Sequence, residues 1–311
     1  MKIIVTGVAG FIGSNLADRL LLLSDCKVIG IDNLSYGVIE QVPAGVEFHK
    51  VDIRSKDMWS LFENADYVFH LAAKNCISDC QTDPVETADI NVTGTVNVFE
   101  AAGRAGVKKV IYAESSAVYE GTSVFPTPES QVRPESFYAA SKAASSYFAE
   151  SFKKFSDLQF TALRYFCVYG PRQDYRRTIP PVMSAFIIKL LKRQQPVIYG
   201  TGLKKRDFVF IDDVNDFHLQ CISDRKTDGL TFNLGSGENY SVREIYNIIA
   251  DILDVRIEPL YKPDLPSEAE QTLADTSNAR RLGWNPKVSI TEGLEKMISY
   301  IKNEFSKGNI K

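Results

Sequence analysis

The most constraining stretch of the chain lies at its start. The apolar run Ile3-Ile4-Val5 enters Thr6-Gly7-Val8-Ala9-Gly10-Phe11-Ile12-Gly13, and a helical pattern follows. Glycine at 7, 10 and 13 lets the backbone turn sharply, approach a pyrophosphate closely and pack the helix against the strand. The unbonded N–H groups and positive end of that helix then face the phosphates. A glycine-rich turn alone also serves ordinary loops. Here it follows a strand, opens a helix, and precedes Asp32, nineteen residues beyond Gly13 at the end of the next apolar run. That context predicts a dinucleotide site.

The same rhythm continues. Lys2 to Val5, Val28 to Ile31, Glu47 to Val51, Tyr67 to Leu71, Val110 to Ala113 and Phe160 to Arg164 read as buried strands. Helices are expected between them near 12–23, 55–63, 84–104 and 138–155. Alternating strands and helices mean a parallel sheet covered on both faces, and right-handed crossovers then leave the doubly wound α/β (Rossmann) architecture. After Phe166 prolines such as Pro171, Pro180, Pro181 and Pro196 break the regularity. With 311 residues and about 150 per domain, residues 1–166 are expected as the dinucleotide-binding domain. Residues 167–311 are expected as a smaller α/β substrate lobe interleaved with it.

Charge narrows the partners. Subtracting 39 acidic from 36 basic side chains leaves −3, which argues against a broad basic footprint for nucleic acid or an anionic membrane. No apolar run approaches the roughly 20 residues needed to span a bilayer, and Met1-Lys2-Ile3-Ile4 enters a strand rather than a signal peptide. Five scattered cysteines, Cys26, Cys76, Cys80, Cys167 and Cys221, fit a reducing cytoplasm. No cluster of His and Cys completes a metal site, so no metal is expected, and His70 reads as a packed strand-end residue.

Asp32 can accept both ribose hydroxyls of an adenosine and would repel a 2′-phosphate. No Arg or Lys lies within Asn33 to Gly37 to attract one, so NAD is favoured over NADP. Asp52-Ile53 is placed to touch the adenine edge, while Asp52 serves equally as a helix cap for the segment after Arg54.

Tyr138-Ala139-Ala140-Ser141-Lys142 puts a phenol and an ammonium on one helix face. A phenolate at pH 7 needs about 4 kcal/mol of help, and a neighbouring cation and a positive nicotinamide both have the right sign. An isolated Tyr-x-x-x-Lys is common on solvated helices and gains weight only from partners. Glu114-Ser115-Ser116-Ala117-Val118-Tyr119 follows a strand at the carboxyl edge where ligands of such sheets bind.

The chain resembles the extended short-chain dehydrogenases/reductases, specifically the NAD-dependent sugar-nucleotide epimerases/dehydratases. The likeness covers nearly all of it. It includes Thr6 to Gly13, His70-Leu71-Ala72-Ala73, Asn91 to Thr95, Ser115 to Tyr119, Tyr138 to Lys142, Arg164-Tyr165-Phe166, Tyr169 to Gln173, Arg206 to Val214, and Ala274-Asp275. The resemblance implies NAD held by Gly7, Gly10, Phe11, Ile12, Gly13, Asp32, Asn33, Asp52, Ile53, Leu71, Ala72, Ala73, Asn91, Tyr138, Lys142 and Phe166. It implies a catalytic triad of Ser115, Tyr138 and Lys142, and substrate contacts from Ser115, Ser116, Tyr138, Cys167, Arg206 and Thr272.

Dehydratases of this family carry an Asp-Glu pair after the catalytic Ser/Thr, and decarboxylases a glutamate at the second place; here Ser116 and Ala117 stand there. What remains is similar to the 4-epimerases. In those, the residue matching Tyr138 takes the 4-hydroxyl proton as hydride passes to NAD, and the keto sugar turns over and is reduced on its other face. Arg206 matches a phosphate-binding arginine, against a surface salt bridge with Asp207 as the plain alternative. The family's second phosphate-binding arginine is missing, with Lys262, Arg176 and Arg177 as candidate substitutes.

Cys167 replaces a common asparagine, and the only nearby cation to activate its thiol is Arg164. Thr272, small at a gating position, leans toward UDP-GlcNAc/UDP-GalNAc, with UDP-Glc/UDP-Gal also accepted. Asp174 would repel a uronate carboxylate. The competing expectations are a uronate epimerase, a keto-sugar reductase and a non-catalytic NAD sensor. The resemblance also implies a homodimer through the helices near 84–104 and 138–155, with Ala144, Tyr147, Phe148 and Phe152 serving either the seam or the core.

Overall fold

The computed structural model describes residues 1–176, 180–264 and 269–310. In chain order its elements begin β1 (Lys2–Thr6), α1 (Phe11–Leu21), β2 (Lys27–Asp32), β3 (Glu47–Lys50), β4 (Tyr67–His70), α2 (Ile77–Thr82), α3 (Pro84–Ala88) and α4 (Thr95–Arg104). They continue β5 (Lys109–Ser115), α5 (Phe137–Ser156), β6 (Gln159–Tyr165), β7 (Cys167–Tyr169), α6 (Val182–Leu191), β8 (Val197–Tyr199), β9 (Lys205–Phe210) and α7 (Ile211–Ser223). The last are β10 (Leu230–Leu234), β11 (Asn239–Ser241), α8 (Val242–Leu253), β12 (Leu260–Lys262), α9 (Ser277–Arg281) and α10 (Ile290–Ser306).

Seven parallel strands form the main sheet in the order β10-β6-β5-β4-β1-β2-β3. The order reverses between β1 and β4, and ligands of doubly wound sheets bind in the crevice at that point. Alternation along each strand feeds two cores. Ile3 and Val5 pack with Leu16 and Leu20 of α1 and Val214 and Phe217 of α7. Ile4 faces the opposite side, with Val98 and Phe99 of α4 and Ala149 of α5. Each such side chain, fully buried, contributes about 1.5–3 kcal/mol.

The first six strands lie where the apolar runs placed them. The seventh, Leu230–Leu234, was not foreseen: it comes from the C-terminal half and pairs Leu230 with Thr161 through Leu234 with Tyr165. A small sheet β11-β9-β7 and the pair β12-β8 accompany a third core, in which Phe186, Ile187, Ile245, Ile249, Leu294 and Ile298 meet.

Two helices differ from expectation. Residues 56–62 wind as a 3₁₀ helix capped by Ser55, a short connector that buries Met58 and Phe62. The segment 84–104 is not one helix. Asp83 caps α3, and a π turn over Asp89–Gly94 precedes α4. The Asn91 carbonyl there accepts from the hydroxyls of Thr95 (2.6 Å) and Ser145 (3.3 Å), a diversion that accommodates the wider turn.

Candidate active site

A cleft of about 820 Å³ opens along the carboxyl ends of the main-sheet strands. Its floor is the first turn. Gly7 has φ +72°, and a Cβ there would come within 2.7 Å of the Ala72 nitrogen. At Gly13 a Cβ would stand 2.2 Å from the Gly7 carbonyl oxygen. Neither place admits a side chain, and the cradle suits a ligand that approaches the backbone closely. Phe11, Ile12, Leu71, Ala72 and Ala73 line the same end.

At the end of β2 the Asp32 carboxylate accepts from the N–H of Leu34 (2.8 Å) and of Ala9 (3.1 Å). Burial nevertheless raises its pKa above the usual carboxylate value. Asn33, Asp52 and Ile53 complete this wall. The two readings of Asp52 now separate: the following 3₁₀ helix is capped by Ser55, whose hydroxyl accepts from Asp57 N. Asp52 instead accepts from the Arg54 side chain, from Arg54 N (2.8 Å) and from Asn33 Nδ2 (2.9 Å). The Arg54 side chain holds its carboxyl well below the usual range. These residues fit the adenosine and pyrophosphate halves of NAD.

α5 carries the phenol and the ammonium. Ser136 caps it by accepting from Ala139 N (3.1 Å), and its buried face holds Tyr138, Ala139, Ser141, Lys142, Ser145 and Ala149. That spacing turns Tyr138 and Lys142 together toward β5. Lys142 Nζ donates to the Ala113 carbonyl at 2.9 Å. Its burial pulls the ammonium down to about 8, against Glu114, which pushes it up. Ser115 ends β5, and its hydroxyl oxygen accepts from Ala117 N (3.2 Å), opening the 3₁₀ turn Ser116–Tyr119. Ser115, Ser116, Tyr138, Lys142 and Phe166 all line the cleft.

Asn91 is the exception. It does not line the cleft: its amide accepts from Lys74 N (2.8 Å) and donates to Lys74 O (2.9 Å) and Ser141 Oγ (3.0 Å). It therefore stands behind the site, joining the segment after β4 to α5. His70 is likewise buried, bridging the hydroxyls of Thr6 (2.8 Å) and Thr95 (2.9 Å), and burial lowers its pKa to about 3.

The far half of the cleft holds Cys167, Arg206 and Thr272. Arg206 Nη1 donates to the Lys205 carbonyl (2.9 Å). Asp207 is buried and accepts from Ser236 N, Ser236 Oγ, Gly237 N and Ala274 N, a structural role in place of the alternative surface pairing with Arg206. The Thr272 hydroxyl accepts from Asp207 N (3.1 Å). Arg164 is committed to Glu114 at 2.6 Å and to Tyr119, so it is not a cation kept for the Cys167 thiol.

Of the substitutes for the missing arginine, Arg176 lines the cleft, pairs with Asp174 (3.0 Å) and reaches the Tyr36 carbonyl (3.4 Å). Lys262 sits exposed on β12 away from the cleft, and Arg177 and Leu265 to Glu268 fall outside the described residues. Lys74, which pairs with Glu86, and Glu120 also line the cleft and were missed. Their only sequence signal is adjacency, to Ala72-Ala73 and to Tyr119. Among the described residues no His/Cys/Asp/Glu group could hold a metal, no disulfide joins any of the five cysteines, and no helix is long and apolar enough to cross a membrane.

Comparison with known proteins places the chain in a family. Residues 3–235 match the model of the NAD dependent epimerase/dehydratase family. A UDP-glucose 4-epimerase of Mycolicibacterium smegmatis is 36% identical over 314 residues, covering 98% of this chain and 99% of that one. The crystal structure of a UDP-glucose 4-epimerase from Thermotoga maritima with UDP-glucose superposes with a TM-score of 0.94 at 34% identity, covering 98% of this chain and all of the other. A UDP-N-acetylglucosamine 4-epimerase from Methanobrevibacter ruminantium, in complex with UDP-N-acetylmuramic acid, gives 0.93 at 32% identity, covering 97% and 98%.

Proposed function

The chain belongs to the NAD-dependent epimerase/dehydratase family, and we propose that it inverts the 4-hydroxyl of UDP-GlcNAc and UDP-GalNAc, accepting UDP-Glc and UDP-Gal as a second pair. Its coarser assignment is an NAD-dependent UDP-sugar 4-epimerase. The observation that carries the reading is the convergence of Ser115, Tyr138 and Lys142 in one cleft with no acid-base pair after the serine. The preference for N-acetyl sugars rests on Thr272, a short side chain at the cleft wall whose hydroxyl is held by Asp207 N.

Bound NAD supplies a hydride acceptor that gives back what it takes, so oxidation of the sugar at C4 is temporary. Tyr138 takes the 4-hydroxyl proton as the C4 hydride leaves, and gives it back to the same oxygen when the turned-over keto sugar is reduced on its other face. Ser115 already accepts from Ala117 N, which leaves its O–H to donate to the sugar oxygen. Lys142 places a positive charge beside the phenol in a site screened from water, where electrostatic help is strongest. Arg206 anchors the diphosphate, with Arg176 as the second cation.

The test is purified protein, without added NAD, incubated with UDP-GlcNAc, UDP-Glc and UDP-glucuronate. Interconversion of the first two and no turnover of the third is expected. Release of NADH, or no interconversion of any UDP-sugar, would overturn the reading.

Homodimerisation through the α5 flank belongs to the same proposal. Tyr147 and Phe155 are 76% and 78% exposed there, and Phe148 is exposed beside them. Phe152, partly buried, packs its ring against Phe99 at the edge of the core. Sedimentation at micromolar concentration checks this, and a monomer would refute it. A cytoplasmic location is proposed from five cysteines and no disulfide, and is checked by fractionation.

A further inference from the structure

Two carboxylates flank the serine segment, and each reaches α5. Glu114, immediately before Ser115, has a fully buried side chain that accepts from Ser146 Oγ (2.7 Å), Tyr112 OH (2.7 Å) and Arg164 Nε (2.6 Å). Glu120, immediately after Tyr119, accepts from Ser136 N (2.8 Å), Ser136 Oγ (2.9 Å) and Glu135 N (3.3 Å). Ser136 is the cap of α5 and Ser146 lies ten residues along it, so Tyr138 and Lys142 fall between the two attachment points. On the facing segment, Ser115 falls between the two glutamates.

We propose that Glu114 and Glu120 are positioning residues that fix the register and depth of α5 against the end of β5, and so set the distances among Ser115, Tyr138 and Lys142. Neither glutamate needs to touch the sugar for this role. The physical reason is the two-point attachment. One bond fixes a point and leaves the helix free to pivot about it, whereas two bonds at opposite ends of the reactive turn remove both sliding and tilt. The bonds are charge-assisted, and the one at Glu114 is shielded from water, which makes each stiffer than a bond between neutral groups. Misplacement by about 1 Å at reacting groups can cost 100-fold in rate. The proposal rests on the triad assignment above.

The test compares the NAD-bound enzyme with Ser146→Ala, Glu120→Gln, the double variant and Ser146→Thr. Each single change is expected to lower kcat about 5-fold and the double change about 25-fold, with the sugar KM within about two-fold. Bound NAD per chain and melting temperature should stay near native, and Ser146→Thr, which keeps the hydroxyl, should restore the rate. Amide hydrogen exchange across residues 137–146 should quicken in the same order.

A near-native kcat in the double variant would overturn the proposal, as would a loss that only follows lost NAD or lost folded protein. If the native enzyme turns over no UDP-sugar, the functional reading fails, and unchanged exchange in the double variant then refutes the positioning role separately.

Discussion

The Nζ of Lys142 donates to the carbonyl of Ala113 at 2.9 Å, so the ammonium carried by α5 is tied to the strand that ends at Ser115. The bond places the charge but does not repay its burial. Desolvation draws the group down to about 8, with Glu114 acting in the opposite direction.

That shift has a sign in stability. The unfolded lysine titrates near about 10.4, so between the two values the unfolded chain binds more protons, and stability from this group rises with pH. Relative to Lys142→Met, the native protein should gain about 2 kcal/mol between about pH 7 and pH 9.5. Urea unfolding at both pH values checks it; a difference independent of pH would contradict the burial argument.

Tyr138 is the proton carrier. Tyr138→Phe should lower kcat by about 1,000-fold or more, in line with loss of general acid-base catalysis, while NAD stays bound. Steady-state assay with either UDP-hexose pair measures this. A variant that equilibrates its sugars at native speed would remove the phenol from the mechanism.

Asp32 accepts from Ala9 and Leu34, which orders the turn that receives the ribose. Asp32→Ala should weaken NAD at least about 10- to 100-fold, since even one of the two charge-assisted ribose bonds it removes is worth that much. Calorimetric titration of protein stripped of cofactor reads the loss directly. NADP should bind the native protein far more weakly than NAD.

Gly13 cannot carry a methyl group, because the Gly7 carbonyl oxygen would lie 2.2 Å from it and the Val8 Cα 2.9 Å. Both obstacles are backbone, so relief needs movement of the whole turn. Gly13→Ala should cost about 2 kcal/mol or more and empty the site of NAD. Melting temperature and cofactor content per chain are the measurements.

Thr272 bears on selectivity. Thr272→Tyr should lower kcat/KM for UDP-GlcNAc at least about 10-fold while sparing UDP-Glc, since added bulk excludes the N-acetyl group. Equal losses on both substrates would show that the residue does not discriminate between them.

Most of the sheet was legible because it is local: six short apolar runs, most of them separated by helical segments, leave one way to wind. β10 was not, because Leu230 to Leu234 is a short segment placed by pairing with Thr161 to Tyr165, far away in sequence. The motif residues expected to hold the cofactor and sugar line the cleft, all but Asn91, whereas of the candidate second cations Arg176 lines it and Lys262 does not. Asn91 escaped because a motif records that an amide is required, not which way it points. The π turn around it depends on hydroxyls from Thr95 and Ser145, and only the fold brings Ser145 there. The contacts of Glu114 and Glu120 with α5 were hidden for the same reason.

The outermost strand next to β6 has a consequence during synthesis. Until residue 234 has left the ribosome, β6 presents an unpaired row of amides and carbonyls along its outer side. The nascent amino-terminal half is therefore open to pairing with strangers for the time taken to translate some seventy further codons.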